Sequence, residues 1–251
     1  MTAESKYPSC IFCGKGDSKP HKEDVLPKWI AREFGNDPWE IKSQSSDRTF
    51  KARNHLGLVS RAPCTQCNNG WMSKLESAAK PVIAPLMNDT SSELTPGQQL
   101  VIVRWLVKTC IMHEVLNNDN PRYFRTVERE ALMKHLAIPP ITWVFLGRYI
   151  GDTDILTREV PMDLNIGDPE NAQATYGYSA TFAIKRLVLQ IFTVRPPKNF
   201  KKSLGFKMSR QWDRAAVQIW PILGTVNWPP PYFFDDEGFE ILADRWKTLK
   251  P

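Results

Sequence analysis

Four of the five cysteines fall in two pairs of identical spacing, Cys10 and Cys13 in "CIFCG" and Cys64 and Cys67 in "CTQCNNGW". A C-x-x-C turn presents two sulfurs together, and two such turns complete the tetrahedral thiolate shell that zinc prefers. Cys10, Cys13, Cys64 and Cys67 are therefore expected to bind one structural zinc. The ion would join the start of the chain to residue 67, in a module small enough to fold only with metal bound. Thiols used this way belong in a reducing compartment, so a cytoplasmic location is expected. The fifth, Cys110, sits in the apolar stretch "WLVKTCIMHEVL" and reads as a small buried hydrophobe.

Between the pairs lies "KPHKEDVLPKWI", an acidic pair followed by two apolar residues and a proline, and the second pair runs directly into Asn68. This arrangement, from Cys10 to Glu76, resembles the HNH endonuclease family. "EDVLPKWI" and "CNNGWMSKLE" look in particular like a subgroup of uncharacterised HNH-type proteins of bacteria and phages. The resemblance implies a ββα-metal fold, a strand pair followed by a helix, clipped by the zinc. It further implies metal-dependent hydrolysis of phosphodiester bonds in nucleic acid, DNA in the first instance.

Carried over, Glu23 matches the acidic residue that often ligates the catalytic cation, and Asn68 the second ligand at the start of the helix. The position of the signature histidine, the general base, holds Asp24. That exchange departs from the family at its most important residue, and Asn54 lies too far upstream to align with the family's middle asparagine. Histidine suits the role because its pKa lies near 6.5. An aspartate near 3.9 is a weaker base but a good ligand for magnesium. Glu23, Asp24 and Asn68 thus form a possible divalent-cation site, and His21 and His55 are candidate replacement bases.

Simpler roles compete. Glu23 and Asp24 suit the region before a helix that opens at Pro27. Asn68 could cap a helix beginning near Gly70, and Trp71 and Met72 could simply be core. The alternative function is a catalytically inactive zinc module that binds nucleic acid or a protein partner.

The rest of the chain must position these residues. At 251 residues, with 42% hydrophobic and 24% charged composition, it can bury a substantial core. A net charge of +6 suits a phosphate-bearing partner. Basic residues gather in "RWLVK", in "RQWDR" and from Arg195 to Lys207, where Phe200 or Phe206 could touch a base. An interaction protein would instead use "NWPPPYFF". The start lacks the apolar core of a secretory signal and no run is long enough to span a membrane.

The expected fold class is α+β, with a zinc-stabilised HNH-like module over 1–88 and a larger α+β domain over 89–251. "LPKWIAREF" is a short helix candidate, and "FGNDPWEIKSQSSDR" reads as loop between short strands. Met72, Leu75, Ala79 and Val82 mark a helix that Pro81 bends or ends. Thr95, Pro96 and Gln98 form a capping box opening a buried helix over about 96–116. "TVEREALMKHLA" is a second helix, capped by Thr126. Four aromatic and β-branched runs over about 141–222 read as antiparallel strands, the first two separated by the polar link "GDTDILTREVPMDLNIGDPENAQ".

Overall fold

The computed structural model describes residues 9–16, 20–45, 49–116, 123–166, 173–196 and 214–245. Helices and strands are mixed in an α+β arrangement whose centre is one large, curled sheet. The N-terminal part runs β1 (Glu23–Asp24), α1 (Lys28–Arg32), β2 (Glu40–Gln44), β3 (Thr49–Arg53), β4 (Val59–Ser60) and α2 (Thr65–Cys67). A π-helical turn over Asn68–Met72 leads into α3 (Ser73–Met87). Then follow β5 (Ser92–Leu94), α4 (Pro96–Glu114), α5 (Thr126–His135), β6 (Ile141–Tyr149), β7 (Ile155–Ile166), β8 (Gln173–Ile184), β9 (Leu187–Val194), β10 (Ala216–Trp220), β11 (Val226–Trp228), β12 (Phe233–Phe234) and α6 (Asp236–Asp244).

The large sheet has the order β10-β6-β9-β8-β7-β2-β3, with β12 added beside β6. Its central strands are apolar on both faces because both faces are covered. Val144, Leu146, Ala180, Phe182, Leu189 and Ile191 join the core that contains α4. Their neighbours Phe145, Ala183, Val188 and Phe192 pack with Phe239 and Leu242 of α6. This explains why α4 is apolar around nearly its whole circumference. Thr95 and Gln98 close its start as a capping box, and Trp105 and Cys110 are fully buried.

Cys110 carries a direct expectation. Burial pushes its thiol well above the usual range, and Glu159 adds to the effect. A thiol reagent applied to the native, metal-loaded protein should leave Cys110 unmodified until the chain unfolds, as read by peptide mass mapping. Labelling at the rate of a free thiol would contradict a buried α4.

Several expectations change. The stretch read as a polar link contains β7, twelve residues long. Pro161 hid it, since proline cannot donate to a ladder. The register shows why it is tolerated: β2 pairs with β7 only from Ile155 to Arg158, so beyond that point β7 has no further neighbour on that side among the described residues. The stretch after Phe34 holds β2, which runs parallel to β7, and β12 is parallel to β6, so the sheet is mixed rather than antiparallel throughout. Among the described residues, β2 and β3 enter this sheet and one apolar cluster runs from Cys10 to Trp228.

Pro81 and Pro85 lie inside α3 without ending it; Leu75, Ala79, Ile83, Leu86 and Met87 are buried, and Val82 packs half-buried against the same core. Thr126 is the first residue of α5. The cap is Arg125, whose backbone N–H donates to the Glu128 carboxylate at 3.1 Å.

Candidate metal centre and the acidic pair beside it

The four sulfurs of Cys10, Cys13, Cys64 and Cys67 all lie within 4.8 Å of one another. Cys13 Sγ and Cys64 Sγ are 3.8 Å apart. That matches the edge of about 3.8 Å expected for a tetrahedron with bonds near 2.3 Å. Each knuckle is shaped by its own backbone. Gly14 takes a φ of 70°, with open space where a side chain would be, so conformation rather than room requires glycine there. Its N–H donates to Cys10 O at 2.9 Å. Cys64 caps α2, its sulfur accepting from Cys67 N at 3.4 Å, while Cys10 Sγ accepts from Cys64 N at 3.3 Å. Backbone bonds Ile11 N to Ala62 O (3.2 Å) and His21 N to Pro63 O (2.9 Å) lace the two knuckles together.

The thiols are electrostatically unequal. Burial works against ionising Cys64, but the Cys67 N–H and the neighbouring thiols outweigh it and bring its pKa down to about 7. Cys67 is pushed far upward, first by burial and then by the charges of Cys10, Cys13 and Cys64. Four such thiolates need a cation among them, and the soft sulfur set suits zinc. This cluster could hold a metal ion, and among the described residues it is the only group of three or more His, Cys, Asp or Glu side chains that converges so.

Next to it stands Glu23 on β1, whose partner strand β4 precedes α2 directly. Burial raises the Glu23 carboxyl above its ordinary value. Lys108 acts against that rise, Glu76 adds to it, and His21 and a hydrogen bond with the Asn68 side chain also lower it. The Asn68 side chain therefore meets the Glu23 carboxyl, while His21 acts on it only through its charge. Asn68 does not cap a helix beginning near Gly70; it ends α2 and opens the π-helical turn, where Gly70 departs from helical geometry with φ −92° and ψ −107°. Asp24 is half-buried, and strand alternation directs it to the other side from Glu23. His55 is exposed on the loop after β3. Trp71 rests edge-on against Phe12, and Met72 is core.

Glu76, which sequence reasoning passed over, and Lys108, read there as part of the basic run "RWLVK" but buried in the structure, complete this corner. Glu76 Oε2 accepts from both Trp29 Nε1 (2.9 Å) and Trp105 Nε1 (3.0 Å), while Oε1 pairs with the Lys108 ammonium. Lys108 is 0% exposed, so its whole charge is held inside the protein. A lysine in the middle of an otherwise apolar helix was the available signal.

A second buried polar group lies across the sheet. His113 Nε2 is 3.2 Å from Ser43 Oγ and 3.1 Å from Thr157 Oγ1, and its Nδ1 is 2.9 Å from Glu159 Oε1. Serine, histidine and carboxylate follow one another as in hydrolytic triads. All three are buried, however, and their position makes them a tie between α4, β2 and β7.

No protein-family model matches the chain, and no curated protein or solved structure matches it either. No described helix is long and apolar enough to cross a membrane. Beyond Arg195 and Pro196, the basic stretch to Lys207 lies outside the described residues, as do Phe200, Phe206 and most of "RQWDR".

Proposed function

We propose that the chain is a metal-dependent endonuclease of HNH type, with residues 10–76 as its zinc-clipped ββα-metal module. The observation that carries the reading is the meeting of Glu23 and Asn68 beside the four-cysteine cluster, with His21 close enough to act on Glu23. β1 and β4 followed by α2 and α3 supply the strand pair and helix that such a module needs.

Glu23 and Asn68 would hold the divalent cation, magnesium or a similar ion, through oxygen. When bound, such a cation offsets the charge that builds on a cleaved phosphodiester. His21 takes the proton of the attacking water, the role left open by Asp24 at the signature position. It lies two residues before Glu23, so an extended backbone directs it to the same side. The nucleic-acid substrate, DNA in the first instance, is drawn by the net charge of +6.

The test is cleavage of DNA and RNA by the full chain with magnesium, manganese or nickel. His21→Ala should slow cutting roughly a hundredfold or more, the usual scale for a general base. Glu23→Gln should abolish cutting with zinc content unchanged, and Asp24→Asn should alter the rate only severalfold. An Asp24→Asn loss as deep as that of His21→Ala would move the base to Asp24.

Lys108 favours a second reading. Its buried ammonium already supplies positive charge to Glu23 and Glu76, as a cation would. A protein that binds nucleic acid with strong salt dependence but cuts none, under every metal tried, is the inactive zinc module.

A further inference from the structure

At the open end of the large sheet, remote in sequence from the zinc cluster, Asp163 of β7 stands directly opposite Tyr176 of β8. The next residue across is Arg195, whose backbone N–H donates to Tyr176 O at 2.9 Å just beyond the end of β9. Directly opposed residues share a face, so a carboxylate, a phenol and a guanidinium form one row across β7, β8 and the end of β9. This row borders a cavity of about 320 Å³ that Tyr123, Met162 and Gly177 help to enclose.

The aromatic and charged groups are already organised. The Arg195 guanidinium lies 5.1 Å from the Tyr176 ring centre and 5.5 Å from that of Tyr123, and it donates to Tyr123 O at 2.5 Å. These contacts fix its plane rather than leaving it to wander in solvent. Tyr176 is 48% exposed despite its size, beside an exposed Asp163. An accessible ring, a fixed guanidinium and a carboxylate acceptor suit a nucleotide: the ring stacks on its base, the guanidinium meets its phosphate and the carboxylate accepts from the base's exocyclic N–H.

We infer that Asp163, Tyr176 and Arg195 form a nucleobase-binding subsite that takes one unpaired base of a single-stranded nucleic acid. The inference deepens the nucleic-acid reading above and rests on its substrate class, though not on cleavage. A base in a duplex is stacked within its own helix, so this subsite selects unpaired strands or frayed ends.

The experiment measures anisotropy of labelled single-stranded and duplex oligonucleotides with the full chain and no added divalent ion. Tyr176→Ala should weaken single-strand binding roughly five- to hundredfold, Tyr176→Phe should restore it, and duplex binding should not change. Arg195→Ala should weaken single-strand binding and flatten its salt dependence. Unchanged single-strand affinity in Tyr176→Ala, or an equal loss for duplex, overturns the subsite. Free mononucleotide competing as well as the oligonucleotide overturns the polymer assignment. A chain that binds through Tyr176 but cuts nothing loses the nuclease and keeps the subsite; one that cuts regardless of Tyr176 does the reverse.

Discussion

Replacing Cys64 with serine is expected to cost the protein its N-terminal structure, and stripping the metal with a chelator should have the same effect. Cys64 contributes more than one sulfur: it caps α2, accepts from the Cys67 N–H and packs 3.8 Å from Cys13 Sγ. Binding free energies for structural zinc run to about 10–16 kcal/mol in small peptides, comparable with the whole stability of a domain, about 5–15 kcal/mol. Even a loss of about 5 kcal/mol would lower the Tm of a chain this long by roughly 10–20 °C. Purified protein should contain about one equivalent of zinc by elemental analysis, and calorimetry should show the fall. A content below half an equivalent, or a Cys64→Ser variant that melts like the parent, would refute the metal centre.

The second large effect concerns Glu76. In Glu76→Leu the Lys108 ammonium keeps its burial and loses its counter-charge, and two indole N–H groups lose their acceptor. Breaking a buried pair from one side costs about 3–5 kcal/mol. Removing both charges, as in Glu76→Leu with Lys108→Met, should cost less than Glu76→Leu alone, because only the unpaired indoles remain, at about 1–3 kcal/mol each. Denaturant unfolding of the two variants decides the matter. If the double change is as damaging as the sum of the single ones, the two residues do not act as a pair.

What the sequence disclosed was local. Two turns of four residues announce a thiolate cluster, and Thr95, Pro96 and Gln98 announce the start of α4, because each signal depends on neighbours along the chain. The meeting of Glu23 with Asn68 came from a family pattern rather than from periodicity. What stayed hidden is set by distant partners. Whether Pro161 can sit in a strand depends on where β2 stops, and β2 comes from residues more than a hundred positions earlier. Glu76 looks like an ordinary surface charge until α3 and α4 are laid side by side. Asp163, Tyr176 and Arg195 form a row only once the register of β7, β8 and β9 is fixed.

The place of β2 has a bearing on how the chain is made. Ser43 meets Thr157 across 114 residues, whereas the two cysteine pairs close over 54. During synthesis the metal clip can therefore shut while the strand that β2 needs is still unborn. For that interval β2 and β3 are a hairpin without a sheet, and a lone hairpin is marginal in water. A fragment ending near residue 88 would be held permanently in this waiting state, with the unpaired edge of β2 open to strands of other molecules. Cutting the gene at the apparent module boundary should thus yield a zinc-loaded but sticky product, and residues through β7 and β8 must be kept for a well-behaved one.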